Sequence, residues 1–189
     1  MQILLVYGTN EGHTGKIAAF VTERLARRGH EVTTVSASDA RPPPDPARFD
    51  AVLIAASVHL GRYQAAVIEF ARKNRAVIAA RANAFLSVSL AAAGHESDDI
   101  DGLKKCVADF AQASGWTPLA VHHVAGAFRY TAYGFLTRCV MRYIAYRKGA
   151  PTDTRQDYEL TDWDDVARFA DAFVSSQAKS GGGARIEER

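Results

Sequence analysis

Hydroxyl and amide side chains stand among glycines in "GTNEGHTGK", residues 8–16, directly after an apolar run and directly before a helical pattern. Glycine lets a backbone turn tightly, and the N–H groups at a helix start attract an anion. Thr9, Asn10 and Thr14 add side-chain donors, so the stretch from Thr9 through Asn10, Glu11, Gly12 and His13 to Thr14 is a candidate anion cradle. Two nucleotide patterns fail on it. A P-loop in this frame needs Gly at position 10 and Ser or Thr at position 17, where the chain has Asn10 and Ile17. A G-x-G-x-x-G fingerprint ending at Gly15 also needs Gly at position 10. ATP and NAD readings weaken accordingly, which leaves the phosphate of a mononucleotide, or a plain strand-to-helix turn. The Glu11 carboxylate is expected to face water, away from any phosphate.

Two further stretches have the composition of ligand loops. "ASVHLGRYQAA", residues 56–66, offers Ser57, Val58, His59, Leu60, Gly61 and Tyr63. "SVSLAAAGHE", residues 87–96, offers Ser87, Val88, Ser89, Leu90 and Ala91, nearly all small. Together they predict a slot with a polar backbone and one or two flat side chains, suited to a planar ring system. His59 as a surface histidine and Tyr63 as a core-edge aromatic are the plain alternatives. His95, His122 and His123 are candidate proton relays, with inert histidines as the alternative. No side chain stands out as a catalytic nucleophile, and no Cys/His spacing suggests a metal centre.

These loops need a scaffold that brings them to one edge. Residues 3–7 read as a first strand, followed by a helix over about 14–28 with Ile17, Phe20, Val21 and Leu25 on one face and Gly29 as its stop. Further strands are predicted at 31–35, 51–56, 82–88 and about 119–124. Helices are predicted around 65–75 and over 99–114, the second carrying Ile100, Leu103, Val107 and Phe110. The proline-rich "DARPPPDPARF" is a surface loop. A last helix opens at "LTDWDDVARFADAFV", with Thr161 as N-cap and Asp162, Asp164 and Asp165 near its positive end. Strand–helix alternation with consecutive apolar residues in the strands predicts an α/β fold, a parallel sheet wound on both faces. Ligands of such sheets lie beyond the carboxyl ends of the strands, where the strand order reverses. That is where the loops after the first, third and fourth strands meet.

Between the fifth strand and the last helix lies "GAFRYTAYGFLTRCVMRYIAYRKGAPTDTRQDYEL". Residues 129–148 hold five basic side chains (Arg129, Arg138, Arg142, Arg147 and Lys148) and no acidic one. As a helix from Tyr133 it places Tyr133, Leu136, Val140, Tyr143 and Ile144 on one face and Arg138 and Arg142 together on the other. Such a helix suits an anionic membrane surface, or packs on its own domain with solvated arginines.

Composition bounds the rest. The 189 residues suit one domain, expected over 1–176 with the insertion at about 128–158 and a disordered tail at 177–189. A net charge of +2 does not argue for nucleic acid. Cys106 and Cys139, far apart, point to a reducing cytoplasmic setting. The apolar run at 3–6 is too short for a signal peptide, and no stretch approaches a membrane span.

The loop arrangement resembles the flavodoxin family, whose phosphate loop T-x-T-G-x-T is matched by Thr9, Gly12 and Thr14, with Glu11 in place of the middle threonine. The resemblance implies a flavodoxin-like five-stranded parallel sheet of order 2-1-3-4-5 and FMN as cofactor. Nearly the whole chain is similar to the flavodoxin-type, quinone-dependent protoporphyrinogen IX dehydrogenases of bacteria. "AASVHLGRY" resembles their G-A-S-x-x-x-G-x-Y, "FLSVSL" their F-x-S-V-N-L with Ser89 for the asparagine, and "AGAFRYTAY" their A-G-A-L-R-Y-x-x-Y. "TDTRQDYELTDWDDVARFA" resembles T-D-T-R-x-x-x-x-x-T-D-W-x-x-V-x-x-F-A. By this resemblance Gly126, Phe128, Arg129 and Tyr130 join the cofactor-binding residues, with Arg129 and Tyr130 nearest the flavin. His59 and Leu60 depart from an aromatic-bearing version of the third-strand loop in that family, so Tyr63 or Tyr130 is expected to supply the ring contact. The implied reaction takes hydride equivalents from protoporphyrinogen IX and passes them to a membrane quinone, on a cytoplasmic protein touching the inner face of the membrane. The alternatives are an electron-carrying flavodoxin, a quinone reductase with another donor, and an interaction module without cofactor. Carriers of that family are typically acidic, whereas this sequence has a pI near 8.6.

Overall fold

Residues 3–6 of the first strand are fully buried, and they divide strictly by parity. Ile3 and Leu5 pack on one side of the sheet with Ile17, Val21 and Leu25, and with Val166, Ala170 and Phe173. Leu4 and Val6 pack on the other with Val67, Phe70, Phe110 and Trp116. Successive strand side chains point to opposite faces, so a strand covered on both faces must be apolar at every position. Each such side chain contributes about 1.5–3 kcal/mol through removal from water.

In a computed structural model, residues 1–93, 97–132, 134, 139, 141–143, 145–146 and 152–181 are described. The order is β1 (Gln2–Gly8), α1 (His13–Arg27), β2 (Glu31–Ser36), β3 (Ala51–Ser57), α2 (Ala65–Ala79), β4 (Ala82–Ser89), α3 (Ser97–Ser114) and β5 (Val121–Ala125). A short ribbon, β6 (Ala127–Phe128) and β7 (Tyr158–Glu159), precedes α4 (Trp163–Gly181). The main sheet runs β2-β1-β3-β4-β5 with every pair parallel, which is the flavodoxin-like α/β fold expected. Helices α1 and α4 cover one face, α2 and α3 the other. The strand ends are flush: Gly8 aligns with Ala56, Ser57 with Val88 and Ser89 with Ala125. Four loops therefore leave the sheet at one edge, around the β1/β3 switch point.

Several expected boundaries shift. The fifth strand begins at Val121 rather than 119, because the Leu119 N–H donates to Asn83 Oδ1 at 2.9 Å and leaves the ladder. The cap of α4 is Asp162, not Thr161. Asp162 Oδ1 accepts from the Asp165 N–H at 2.9 Å, while the Thr161 hydroxyl donates to the Ala125 carbonyl at 2.7 Å. Helix α4 runs through the expected tail boundary to Gly181, since "QAKS" contains no helix breaker. Residues 182–189 lie outside the described residues. In the insertion, residues 139, 141–143 and 145–146 are helical. Tyr133, Leu136, Arg138, Val140, Ile144, Arg147 and Lys148 of the expected amphipathic helix lie outside the described residues. The β6–β7 ribbon was not anticipated, because two strands of two residues leave no periodicity to read. No helix among the described residues is long and apolar enough to cross a membrane.

Helices α1 and α4 are tied by Asp171, whose carboxylate takes Arg24 through bonds of 2.9 and 2.6 Å and also receives Arg28. The hydrogen bonds from Arg24 and Arg28 hold the Asp171 carboxyl well below the usual range. A depressed carboxylate stabilises the fold at every pH above its unfolded pKa and loses that contribution as pH falls through its folded pKa. Asp171→Asn is expected to lower stability by about 1 kcal/mol, the upper range for partly exposed pairs. Urea midpoints should show the same deficit at pH 7 and pH 5, shrinking only in stronger acid.

Candidate functional site

The edge at the switch point is built around the start of α1. Helix α2 crosses close over the end of β1, so a Cβ on Gly8 would stand 2.5 Å from Val67 Cγ2 and 2.8 Å from Gln64 Oε1. Only glycine allows that approach. The chain then folds over itself as the Gly12 N–H donates to Thr9 Oγ1 at 2.9 Å. Gly12, at φ 86°, turns the backbone into α1 without a side-chain cap, and no acid stands in the first turn. The first N–H groups of the helix and its positive end are left for something else to satisfy. Inside that turn Thr14 is buried, and its Oγ1 has no hydrogen-bond partner. An unmet buried hydroxyl is costly, and an anion at an uncapped helix start would meet it. The residues present fit a phosphate monoester.

The loop after β3 is a two-residue hairpin. The His59 N–H donates to the Arg62 carbonyl at 2.8 Å and the Arg62 N–H returns to His59 at 3.1 Å. Its central residues Leu60 and Gly61 both have positive φ, 49° and 75°, as in a type I′ turn. Leu60 is 91% exposed at the tip. Two contacts tie this loop to the first. Gln64 Nε2 donates to Ser57 Oγ at 2.7 Å and to Asn10 Oδ1 at 3.1 Å. Glu11 Oε1 lies 3.8 Å from His59 Nδ1. Glu11 thus departs from the expectation that it faces water: its side chain is 29% exposed and reaches across the edge to a histidine. Gln64 was missed by sequence reasoning, and its only signal was a polar residue directly before an apolar helix.

The expected ring contacts are not presented as expected. Tyr63 is buried edge-on against Phe85 and Phe110, and its hydroxyl meets Ser87 Oγ at 2.7 Å. Burial pushes the Tyr63 phenol up to about 12, against the opposing effect of the Ser87 hydrogen bond. Tyr130 is fully buried and stacks on Phe128. These two, with Ala145, form a small separate core that Leu90, Met141, Tyr158 and Leu160 complete. Tyr63, Ser87, Phe128 and Tyr130 therefore support the edge from within. Val88 is buried and its carbonyl accepts from the Val58 N–H at 2.8 Å. Ser89 Oγ accepts from the Ala92 N–H at 3.1 Å and starts the turn Ala91–Ala93. Gly126 is clasped between Ser89 and Leu160, donating to one carbonyl at 2.9 Å and accepting from the other N–H at 3.0 Å.

Arg129 pairs with Asp157 at 2.9 Å, and Asp157 also receives the N–H and hydroxyl of Thr131. Burial acts to raise the Asp157 carboxyl, but the bonds from Thr131 and the Arg129 charge outweigh it and hold it below the ordinary range. Within the resembling T-D-T-R motif, Asp153 pairs locally with Arg155 at 3.0 Å. His13 turns away from the loop opening: its ring is buried, with Nε2 at 2.7 Å from Thr161 Oγ1. Burial lowers its proton affinity, opposed by Glu159 and reinforced by Lys16 and Arg129. His122 stacks on Phe169 and faces Asp165 at 3.0 Å, on the α4 side of the sheet. Burial lowers the proton affinity of both His122 and His123. His95 lies outside the described residues. Among the described residues no group of three or more His, Cys, Asp or Glu side chains could hold a metal ion.

Comparison with known proteins agrees with this architecture. The family model described as a flavodoxin domain matches residues 4–155. The chain is 31% identical over 170 residues to protoporphyrinogen IX dehydrogenase [quinone] of Escherichia coli K12, covering 90% of this chain and 93% of that protein. It is 29% identical over 175 residues to the protein of the same name from Leishmania major, covering 91% and 74%. Among solved structures, oxidised flavodoxin 1 from Bacillus cereus superposes with a TM-score of 0.53 at 13% identity, covering 93% of this chain and 98% of that one. With the family model spanning most of its length and that relative matched almost end to end, the chain belongs to the flavodoxin domain family and is homologous to the quinone-dependent protoporphyrinogen IX dehydrogenases.

Proposed function

We propose that this protein is an FMN-dependent oxidoreductase that oxidises protoporphyrinogen IX to protoporphyrin IX and delivers the electrons to a membrane quinone. The observation that carries the cofactor assignment is the buried, unpartnered Thr14 hydroxyl at an uncapped helix start. Thr9, Asn10, Gly12 and Thr14 would hold the phosphate, through N–H groups and hydroxyls. The backbone of the hairpin at residues 57–61 and of the turn at 87–91 would flank the ring system. Bound there, the flavin supplies the hydride and single-electron chemistry that no side chain of this protein provides. The protein's part is to bind, orient and exclude water. Gln64 holds the loops after β1 and β3 together, and the Glu11–His59 contact spans the same gap.

The substrate assignment rests on homology and on the insertion. A porphyrinogen is flat and apolar with carboxylate arms, and Arg129 stands at the base of a segment rich in arginine and tyrosine. Tyr143 and Tyr146 are exposed on it, and Arg142 lies beside Tyr143. Aromatic and basic side chains together suit an anionic membrane surface, where a quinone acceptor would be reached.

Three outcomes check this. Thr14→Val should weaken FMN binding about fivefold, or about 1 kcal/mol, while leaving the apoprotein as stable as before or more so, since the unmet hydroxyl is gone. Fluorescence titration and urea unfolding of the apoprotein read both signs. Anaerobic mixing of holoprotein, protoporphyrinogen and a quinone should produce porphyrin fluorescence faster than the uncatalysed control; an equal rate would leave the electron-carrier or another-donor reading. Charge reversal at Arg138 and Arg142 should reduce sedimentation with anionic vesicles, and unchanged sedimentation would remove the membrane role of the insertion.

A further inference from the structure

Helix α1 begins in the phosphate loop, yet its first turn also grips the far end of the insertion. Thr161 follows the return strand β7, and its one hydroxyl proton goes to the Ala125 carbonyl at 2.7 Å. Its oxygen therefore meets His13 Nε2 as an acceptor, at 2.7 Å, so Nε2 must carry the hydrogen. The neutral Nε2–H tautomer leaves Nδ1 without a proton, 4.0 Å from Glu159. Burial, which lowers the proton affinity of His13, favours this neutral form. One turn on, Lys16 pairs with Glu159 at 2.6 Å, and Trp163 Nε1 donates to the same carboxylate at 2.6 Å. The two ends of the insertion are in turn closed on each other, through the pairs Ala127–Glu159 and Phe128–Tyr158 and the bond from Leu160 N to the Gly126 carbonyl.

We propose that His13 and Thr161 are positioning residues that couple the phosphate loop to the base of the insertion, so that cofactor binding and the pairing of residues 125–132 with 158–161 reinforce each other. This rests on the FMN reading above. His13 is the residue directly before Thr14, so the bond that fixes its ring also fixes the backbone presenting the Thr14 hydroxyl and the first helical N–H groups. Whatever holds that backbone from the phosphate side holds Thr161 from the other. Coupling of this kind is reciprocal: a better-ordered insertion base raises FMN affinity by the factor with which FMN orders the base.

The test uses the full-length apoprotein titrated with FMN by flavin fluorescence, with hydrogen exchange followed over 125–132 and 158–161. In the wild type, FMN should slow exchange in both segments. Thr161→Val and His13→Leu should each weaken FMN about fivefold, the size of the His13–Thr161 hydrogen bond that both remove, and abolish that protection. Thr161→Ser, which keeps the hydroxyl, and His13→Gln, which keeps a neutral donor where Nε2–H stands, should restore both. Nitrogen NMR of the wild type should show His13 as the Nε2–H tautomer. Unchanged FMN affinity in Thr161→Val, or protection by FMN that persists in that variant, overturns the coupling. If Thr161→Val fails to fold, equal FMN affinity in His13→Leu and wild type overturns it instead. A wild type that takes up no FMN removes the parent reading, and the coupling with it, and differs from a wild type that binds FMN with no effect on the insertion.

Discussion

A helix that starts immediately after a tight loop must leave its first backbone N–H groups without helical partners, and the first turn of α1 adds a buried unmet hydroxyl to that deficit. Most surface helices relieve it with a serine, aspartate or asparagine cap. Here the cap position is Gly12, no acid stands behind it, and Thr14 adds a hydroxyl that is itself unmet. The rest of the edge is arranged around keeping this turn in place. Gly8 lets α2 come close beside it, Gln64 braces the loop against Ser57, and Lys16 and His13 tie it to β7 and to Thr161 beyond it.

Charge has been used in the same direction. Glu159 and Asp157 neutralise Lys16 and Arg129 at the root of the insertion, and Asp171 does the same for Arg24 and Arg28 between α1 and α4. The acids near the loop are thereby engaged with cations or, for Glu11, turned toward His59, and none lies in the first turn of α1. An anion arriving at the helix start meets a positive end that its neighbours leave uncompensated.

What was legible in the sequence follows from the range of the interactions involved. Consecutive apolar residues at 3–6 and 51–56 announce strands covered on both faces, and the helices between them announce a parallel sheet, because both signals are local and periodic. That three loops gather at one edge of the sheet was legible for the same reason, as polar and small residues at strand ends. The direction of individual side chains was not. Tyr63 looks identical in sequence whether it faces a ligand or Ser87, and only the packing of β4 and α3 around it, through Phe85 and Phe110, decides. Thr161 looks like a cap because it precedes an acidic first turn, but β5 and α1 reach it first and Asp162 takes the role. Glu11 was placed by its own charge, with no means of seeing His59 come from another loop.

The ties that fasten α1 to the end of the chain span the greatest sequence separations among the hydrogen bonds of the described residues. His13 and Thr161 are 148 residues apart, Lys16 and Glu159 are 143, and Arg24 and Asp171 are 147. Non-local contacts of this kind form late, since the loop must be closed before they contribute anything. During synthesis, the residues of the first loop emerge early, and the strands beside it can pair as they follow. The turn at its end stays untied on one side until β7 and α4 have left the ribosome. A chain cut short after the fifth strand would hold every residue of the first loop and the whole five-stranded sheet, yet not the clasp that sets the loop's final shape. The first loop to be made is thus among the last parts of the molecule to be finished.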